Sequence, residues 1–549
     1  MHFHNWGKFV MSLRVMAPGL VTMALSVSAH ASGTSCEQLK QLPLSDTSIE
    51  GTVVPAGEYK NAAAPYMPAI ALPAHCRVRG TIKPTSDSDI KFEVWLPLQQ
   101  WNGKLQGSDN GGFAGSINLS ALALSVKRGY AGVSTDTGHV ASFAEDASWA
   151  KGHPEKLVDF AHRAIHLMTV NAKAIVNAFY GEAPKRSYFA GCSNGGRQAL
   201  MTAQRYPDDY DGIVAGAPAH DWTHLMMSFA WNTKALSAPG AFIPGTMAPA
   251  IQAAVNEQCD APDGVKDGLV AAPQSCTLNP KKLLCSSGKS EGCLTPAQAE
   301  ALQAIYRGPH TSKGLRLYPG FPPGAEVGAP LPGMGWDGWI FGQEPGGTGQ
   351  GRFALNFMRY VVTGNEGWQV AAFDPDKDAP SIDARFAPIF NATDPDLSRF
   401  AARGGKLIMF HGMADPAIPV GSSIDYFESV GRKMGAAERD KLVKMFLVPG
   451  MQHCVGGPGP SIMGGLGAAV QPPEPDTDLS AALEMWVEQG NAPDSVRVIK
   501  PQKLAVAFEN PRAAGVERSG LLCAYPKRAK WNGTGDASDA ASYACVSEN

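Results

Sequence analysis

Tyr188-Phe189-Ala190 closes a short apolar strand, and Gly191-Cys192-Ser193-Asn194-Gly195 follows it directly. A helical pattern then runs over 195–205. A strand that passes so quickly into a helix must turn sharply, and small flanking residues let the backbone close without a Cβ clash. Such a turn exposes its central residue at the sheet edge, in front of the N–H groups and positive dipole end of the helix. Ser193 is therefore the candidate nucleophile, and Cys192, one position off centre, is not.

Strand–helix alternation extends on both sides of this turn. Strands are expected at 91–97, 104–107, 130–134, 186–190 and Gly212–Gly216. A helix is expected at 157–180, where Phe160, Ala164, Leu167, Ala172, Ile175 and Phe179 recur at helical spacing before Gly181. The rhythm breaks over 222–388, which is rich in Pro, Gly, Cys and aromatics, and resumes with strands at 406–410 and Val443–Val448 and a helix at Leu479–Gln489. One interruption of this kind predicts a mostly parallel α/β sheet with a large inserted lid domain, and the strand–turn–helix at Ser193 makes the expected class an α/β-hydrolase fold. The expected division is 32–221 for the first part of the hydrolase domain, 222–388 for the lid and 389–549 for the second part. Residues 36–76 read as a small β cap.

At 549 residues the chain exceeds one minimal core, which suits a domain carrying an insertion. A net charge of -3 without a basic run argues against nucleic-acid binding and polybasic membrane anchoring. Lys8 and Arg14, an apolar run at 16–27 and Ala29-His30-Ala31 form a signal pattern, so residues 1–31 are expected to be removed on export to the periplasm or medium. The even number of cysteines, 10, suits disulfides in an oxidising compartment.

A serine needs a base, and in this fold the acid and then the histidine follow the nucleophile in chain order. The strand at 406–410 leads to His411-Gly412-Met413-Ala414-Asp415, and the next strand leads to Gln452-His453-Cys454. Asp415 and His453 thus fall in loops at the same sheet edge as Ser193. His411, Asp425, His220 and His224 fit worse: the first reads as structural or as shaping the pocket, the second lies in a helix, and the others sit at the lid junction. Cys192 precedes Ser193 and Cys454 follows His453. A bridge between them would hold the Cα atoms about 4.4–6.8 Å apart and so bring the flanking residues together.

Asp260, Asp263 and Asp267 crowd a tight turn with Gly264 and Gly268. Clustered hard oxygen donors suit Ca²⁺, here in a structural role.

At these residues the chain resembles the tannase and feruloyl esterase family, which includes mono(hydroxyethyl) terephthalate hydrolase. Cys192-Ser193, Asp415 and His453-Cys454 carry the resemblance, with Asp109-Asn110-Gly111-Gly112-Phe113-Ala114-Gly115 and Ser134-Thr135-Asp136-Thr137-Gly138-His139. It implies pairings Cys36–Cys76, Cys192–Cys454, Cys259–Cys276, Cys285–Cys293 and Cys523–Cys545. It implies oxyanion donors at Asn194 and at Gly111 or Gly112, and calcium ligands Asp260, Asp263 and Asp267 by side chain and Val265 and Leu269 by carbonyl. No organic cofactor is implied. The substrate is expected to be a small aromatic ester of hydroxycinnamate or gallate type, with contacts from Ile418, Trp336, Trp339, Phe353, Phe357 and Arg359. Terephthalate monoesters are the alternative, and a binding protein on an inactive hydrolase scaffold is a third reading. The sequence gives no oligomeric state.

Overall fold

The computed structural model describes residues 33–61, 69–108, 110–261, 264–286, 291–330, 332–464, 474–503, 506 and 514–547. The expected signal peptide, Asp109 and Asp263 lie outside them. The strands are β1 (Thr47–Val54), β2 (Gly57–Tyr59), β3 (Ile70–Leu72), β4 (His75–Ile82), β5 (Ile90–Pro97), β6 (Lys104–Ser108), β7 (Ala131–Thr135), β8 (Arg186–Cys192), β9 (Gly212–Gly216), β10 (Lys406–Gly412) and β11 (Val443–Val448). They build a 9-stranded sheet ordered β1-β4-β5-β7-β6-β8-β9-β10-β11, with β2 and β3 paired separately. Pairing is antiparallel from β1 to β7 and parallel from β7 to β11. Residues 36–76 are thus only partly a separate cap. β1 and β4 extend the main sheet, because an edge left open at β5 offers unpaired N–H and C=O groups.

The parallel strands are covered on both faces, which is why they read as unbroken apolar runs. Phe189, Leu407 and Met409 face one core together with Ile165, Met168, Ala172 and Ile175 of the helix Ala164–Tyr180. Their neighbours Tyr188, Ile408 and Phe410 face a second core under Leu483 and Trp486 of the helix Leu479–Gln489. The helix expected at 157–180 is interrupted by a π turn at Asp159–Arg163, where buried Asp159 pairs with Arg163. It ends at Gly181, whose φ of 75° closes the C-terminus.

Between β9 and β10 the inserted segment carries helices Trp222–Leu236, Ala248–Cys259, Pro296–Arg307, Gly349–Asn356 and Pro375–Phe390, packed around an aromatic core of their own. Beyond Gln489 the chain forms two antiparallel ribbons, β12 (Ser495–Pro501) with β13 (Val516–Cys523) and β14 (Arg528–Trp531) with β15 (Tyr543–Val546). These ribbons have no counterpart in the sequence reading, since their alternation is short and half exposed. Five disulfides join Cys36–Cys76, Cys192–Cys454, Cys259–Cys276, Cys285–Cys293 and Cys523–Cys545.

Candidate active site

Ser193 stands between β8 and the helix Asn194–Arg205 with φ 65° and ψ -124°. A non-glycine residue held there stores about 1–3 kcal/mol of strain, so its surroundings must fix it. Its N–H donates to Gly216 O at 3.0 Å, and Ala219 N–H donates to its carbonyl at 3.0 Å. Gly196 completes the turn, because a Cβ there would lie 2.3 Å from Gly216 O. Asn194 opens the helix, so its N–H has no acceptor within it. Its side chain is buried and reaches Asn110 O at 3.4 Å, linking the elbow to the glycine loop.

The Cys192–Cys454 bridge holds the two Cα atoms 6.1 Å apart across 262 residues of sequence. Next to it, His453 Nδ1 lies 2.8 Å from Asp415 Oδ2. With Nδ1–H given to the carboxylate, Nε2 is the basic nitrogen. Asp415 is buried, and its Oδ1 accepts N–H groups from Ala417 at 2.8 Å and Ile418 at 2.9 Å. Burial alone would raise its carboxyl; electrostatic attraction to His453 and hydrogen bonds from His411 and His453 instead hold it well below the usual range. His411 stays behind Asp415, with Nε2 donating to Ile418 O at 2.9 Å and Nδ1 bonded to Ser423 Oγ at 2.8 Å. Asp425 pairs with Arg316 at 2.8 Å in the helix Gly421–Met434, away from this group.

Ser193 and His453 line one cavity of about 730 Å³. Gly111, Gly112, Trp339, Phe353 and Ile418 line it too. The rings of Trp339 and Phe353 are parallel within 4° at 6.2 Å, and Trp339 meets the His453 imidazole edge-on at 5.5 Å. Three expected contacts lie elsewhere. Trp336 is fully buried against Tyr306, Phe321 and Phe341, Phe357 is buried against Phe386, and Arg359 Nε donates to Trp368 O at 3.0 Å. Each belongs to the packing of the inserted segment, and none lines the cavity.

The sequence reading missed Trp222, Leu225, Met226 and Phe229, which form the apolar wall. Their spacing places them on one face of the helix Trp222–Leu236, a signal that was available. It also missed Gln452, whose side chain donates to Val327 O at 2.8 Å and accepts Ala329 N–H at 3.2 Å, docking the histidine loop on the inserted segment. At the mouth of that segment, His224 bridges Asp221 at 2.8 Å and Asp383 at 3.1 Å. Burial opposes its charge, but the two carboxylates win and raise its pKa to about 10. His139 supports the glycine loop: Nε2 donates to Phe113 O at 2.7 Å, the ring stacks on Trp149 at 3.7 Å, and burial lowers its pKa to about 4.

In the acidic turn, Asp260 is buried and accepts N–H groups from Asp267 at 3.1 Å and Gly268 at 3.0 Å. Asp267 accepts Leu269 N–H at 3.1 Å and pairs with Arg518. Among the described residues no group of three or more His, Cys, Asp or Glu stands ready to hold a metal.

A family model described as tannase and feruloyl esterase matches residues 76–546. An uncharacterized esterase of Xanthomonas campestris pv. campestris is 39% identical, over 97% of this chain and 95% of its own. The probable feruloyl esterase B-2 of Aspergillus terreus is 32% identical over 86% of each. The crystal structure of feruloyl esterase B from Aspergillus oryzae superposes with a TM-score of 0.83 at 31% identity, covering 93% of this chain and 99% of that one. The tannin acyl hydrolase from Aspergillus niger, at 23% identity and a TM-score of 0.72 over 93% of this chain and 94% of its own, shares the fold.

Proposed function

The chain belongs to the tannase and feruloyl esterase family and is a carboxylic ester hydrolase; from that premise we propose that it releases an aromatic acid of the hydroxycinnamate or gallate class through an acyl-serine intermediate on Ser193. The observation that carries this reading is the Asp415–His453 bond held beside Ser193 by a disulfide between their sequence neighbours.

His453 Nε2 takes the proton from Ser193 Oγ as the oxygen attacks the ester carbonyl. The backbone N–H groups of Asn194 and the glycine loop receive the developing oxyanion. Gly111 is the favoured loop donor. Its N–H lies trans to the Asn110 carbonyl, which faces the buried Asn194 side chain, and a Cβ on Gly111 would meet no neighbour within 4 Å. His453 then protonates the departing alcohol, and a water activated by the same nitrogen releases the acid. The parallel Trp339 and Phe353 rings and the apolar wall suit a flat aromatic acyl group.

The test is turnover of methyl ferulate, methyl gallate, chlorogenate and mono(hydroxyethyl) terephthalate by the wild type and Ser193→Ala. The reading expects hydroxycinnamate or gallate esters to be preferred and Ser193→Ala to be silent. No turnover of any aromatic ester would reject it.

The carboxylates of the acidic turn are hard oxygen donors of the kind calcium takes, with the backbone N–H groups of Asp267 and Gly268 competing for the Asp260 oxygens. Asp260, Asp263 and Asp267 would hold the ion by carboxylate and Val265 and Leu269 by carbonyl, with Arg518 competing for Asp267. Its contribution would be to the rigidity of the inserted segment and not to the reaction. The five disulfides fit an oxidising compartment. Among the described residues no helix is long and apolar enough to cross a membrane. Export with cleavage near Ala31 is part of the proposal, and N-terminal sequencing of the mature protein checks it.

A further inference from the structure

The cavity next to Ser193 is nearly free of charge. Among the described residues that line it, Glu145 is the one charged side chain apart from the histidine, and no Lys or Arg is among them. Glu145 is firmly placed. Ala144 O accepts the Phe113 N–H at 2.7 Å, and a Cβ on Gly112 would lie 2.3 Å from the same oxygen, so the segment is pinned to the glycine loop. Arg352 holds Glu145 Oε1 through Nε at 2.9 Å and Nη2 at 2.6 Å. Oε2 accepts no hydrogen bond from the described residues. Arg352 is itself half exposed and does not line the cavity, so it steadies the carboxylate from behind.

The place of Glu145 along the slot gives it a role. Trp339 meets His453 at 5.5 Å, Phe353 stands parallel to Trp339 at 6.2 Å, and the residue before Phe353 is the Arg352 that grips Glu145. Glu145 thus lines the same cavity as Ser193, His453, Trp339 and Phe353, within reach of a ring bound against that aromatic row.

We propose that Glu145 is a specificity-determining residue that accepts a hydrogen bond from a ring hydroxyl of the acyl group and excludes aromatic acids bearing a second carboxylate. This deepens the proposed function and rests on it. A hydroxyl donates to Oε2, whereas a methoxy group in its place has no proton to give. A terephthalate-type acyl group sets a second negative charge against Glu145, and Arg352, the cation that already pairs with Glu145, does not itself line the cavity. Hydrogen bonds to a charged acceptor are about twice as strong as neutral ones, and like charges brought close together repel.

The experiment compares kcat/KM of the wild type, Glu145→Gln and Glu145→Asp on methyl ferulate, methyl 3,4-dimethoxycinnamate, methyl cinnamate and monomethyl terephthalate. Results are read as ratios within each enzyme, so that a general loss of activity cancels. The wild type should favour ferulate over its dimethoxy analogue by about tenfold or more. Glu145→Gln should cut that ratio severalfold and raise the terephthalate-to-cinnamate ratio about tenfold. Glu145→Asp, shorter but still charged, should lose the hydroxyl preference while keeping the exclusion, and it serves alone if Glu145→Gln does not fold. Ratios unchanged within twofold in a folded variant overturn the inference. So does an effect that follows the alcohol part when methyl ferulate is compared with a glyceryl ferulate. Turnover of aromatic esters with unchanged ratios rejects this inference alone, and no turnover by the wild type rejects the proposed function with it.

Discussion

His453 donates through Nδ1 to Asp415 Oδ2 across 2.8 Å, and the carboxylate that receives it is buried and already anchored by two backbone N–H groups. The imidazole is thereby held in one tautomer, with Nε2 presented as base. Asparagine at position 415 keeps the shape but can offer its amide N–H to Nδ1, reversing the tautomer. Asp415→Asn should lower kcat about 10⁴-fold with little change in KM. Steady-state kinetics on a methyl ester checks this, and a loss under tenfold would remove Asp415 from the mechanism.

The bridge between Cys192 and Cys454 fixes the neighbours of Ser193 and His453, the proposed nucleophile and base. Replacing both cysteines with alanine should cost about 2–5 kcal/mol of stability. It should also lower kcat by about 10²-fold well below the melting temperature, because misplacement of about 1 Å is enough to do so. A variant with lowered Tm but unaltered kcat at low temperature would show that the bridge acts on stability alone.

His224 ties the entry of the inserted segment to its exit through Asp221 and Asp383. Its folded pKa of about 10 lies above the unfolded value of 6.5. The stabilisation is therefore complete below about pH 6.5 and disappears as pH rises through about 10. Thermal melts should show Tm falling across that window, and His224→Gln should flatten this part of the curve while lowering stability at pH 6 by roughly 2 kcal/mol.

Calcium, if it occupies the turn around Asp260, acts on rigidity. EDTA should lower Tm by several degrees while the initial rate at 25 °C holds, and added Ca²⁺ should restore it. An immediate loss of rate, reversed by calcium, would place the ion in the chemistry.

The sheet and the elbow were legible because parallel strands buried on both faces leave apolar runs, and because a strand-to-helix reversal admits few sequences. Asp415 and His453 were legible through chain order and the ends of β10 and β11. The cavity wall was less so. Trp336 and Trp339 sit three residues apart, yet one is core and the other meets His453; only the packing of the inserted segment decides which. Phe353 and Phe357 divide in the same way, as the chain passes from a helix into a π turn at Phe357–Val362. Glu145 lies in a loop with no periodic pattern, so nothing local marked it.

The most direct test of the account is intact-protein mass spectrometry with a fluorophosphonate, followed by peptide mapping. One adduct on the peptide containing Ser193, formed quickly in the wild type and absent in Ser193→Ala, is the predicted result. An adduct that persists in Ser193→Ala, or an unlabelled protein that still hydrolyses esters, would contradict it.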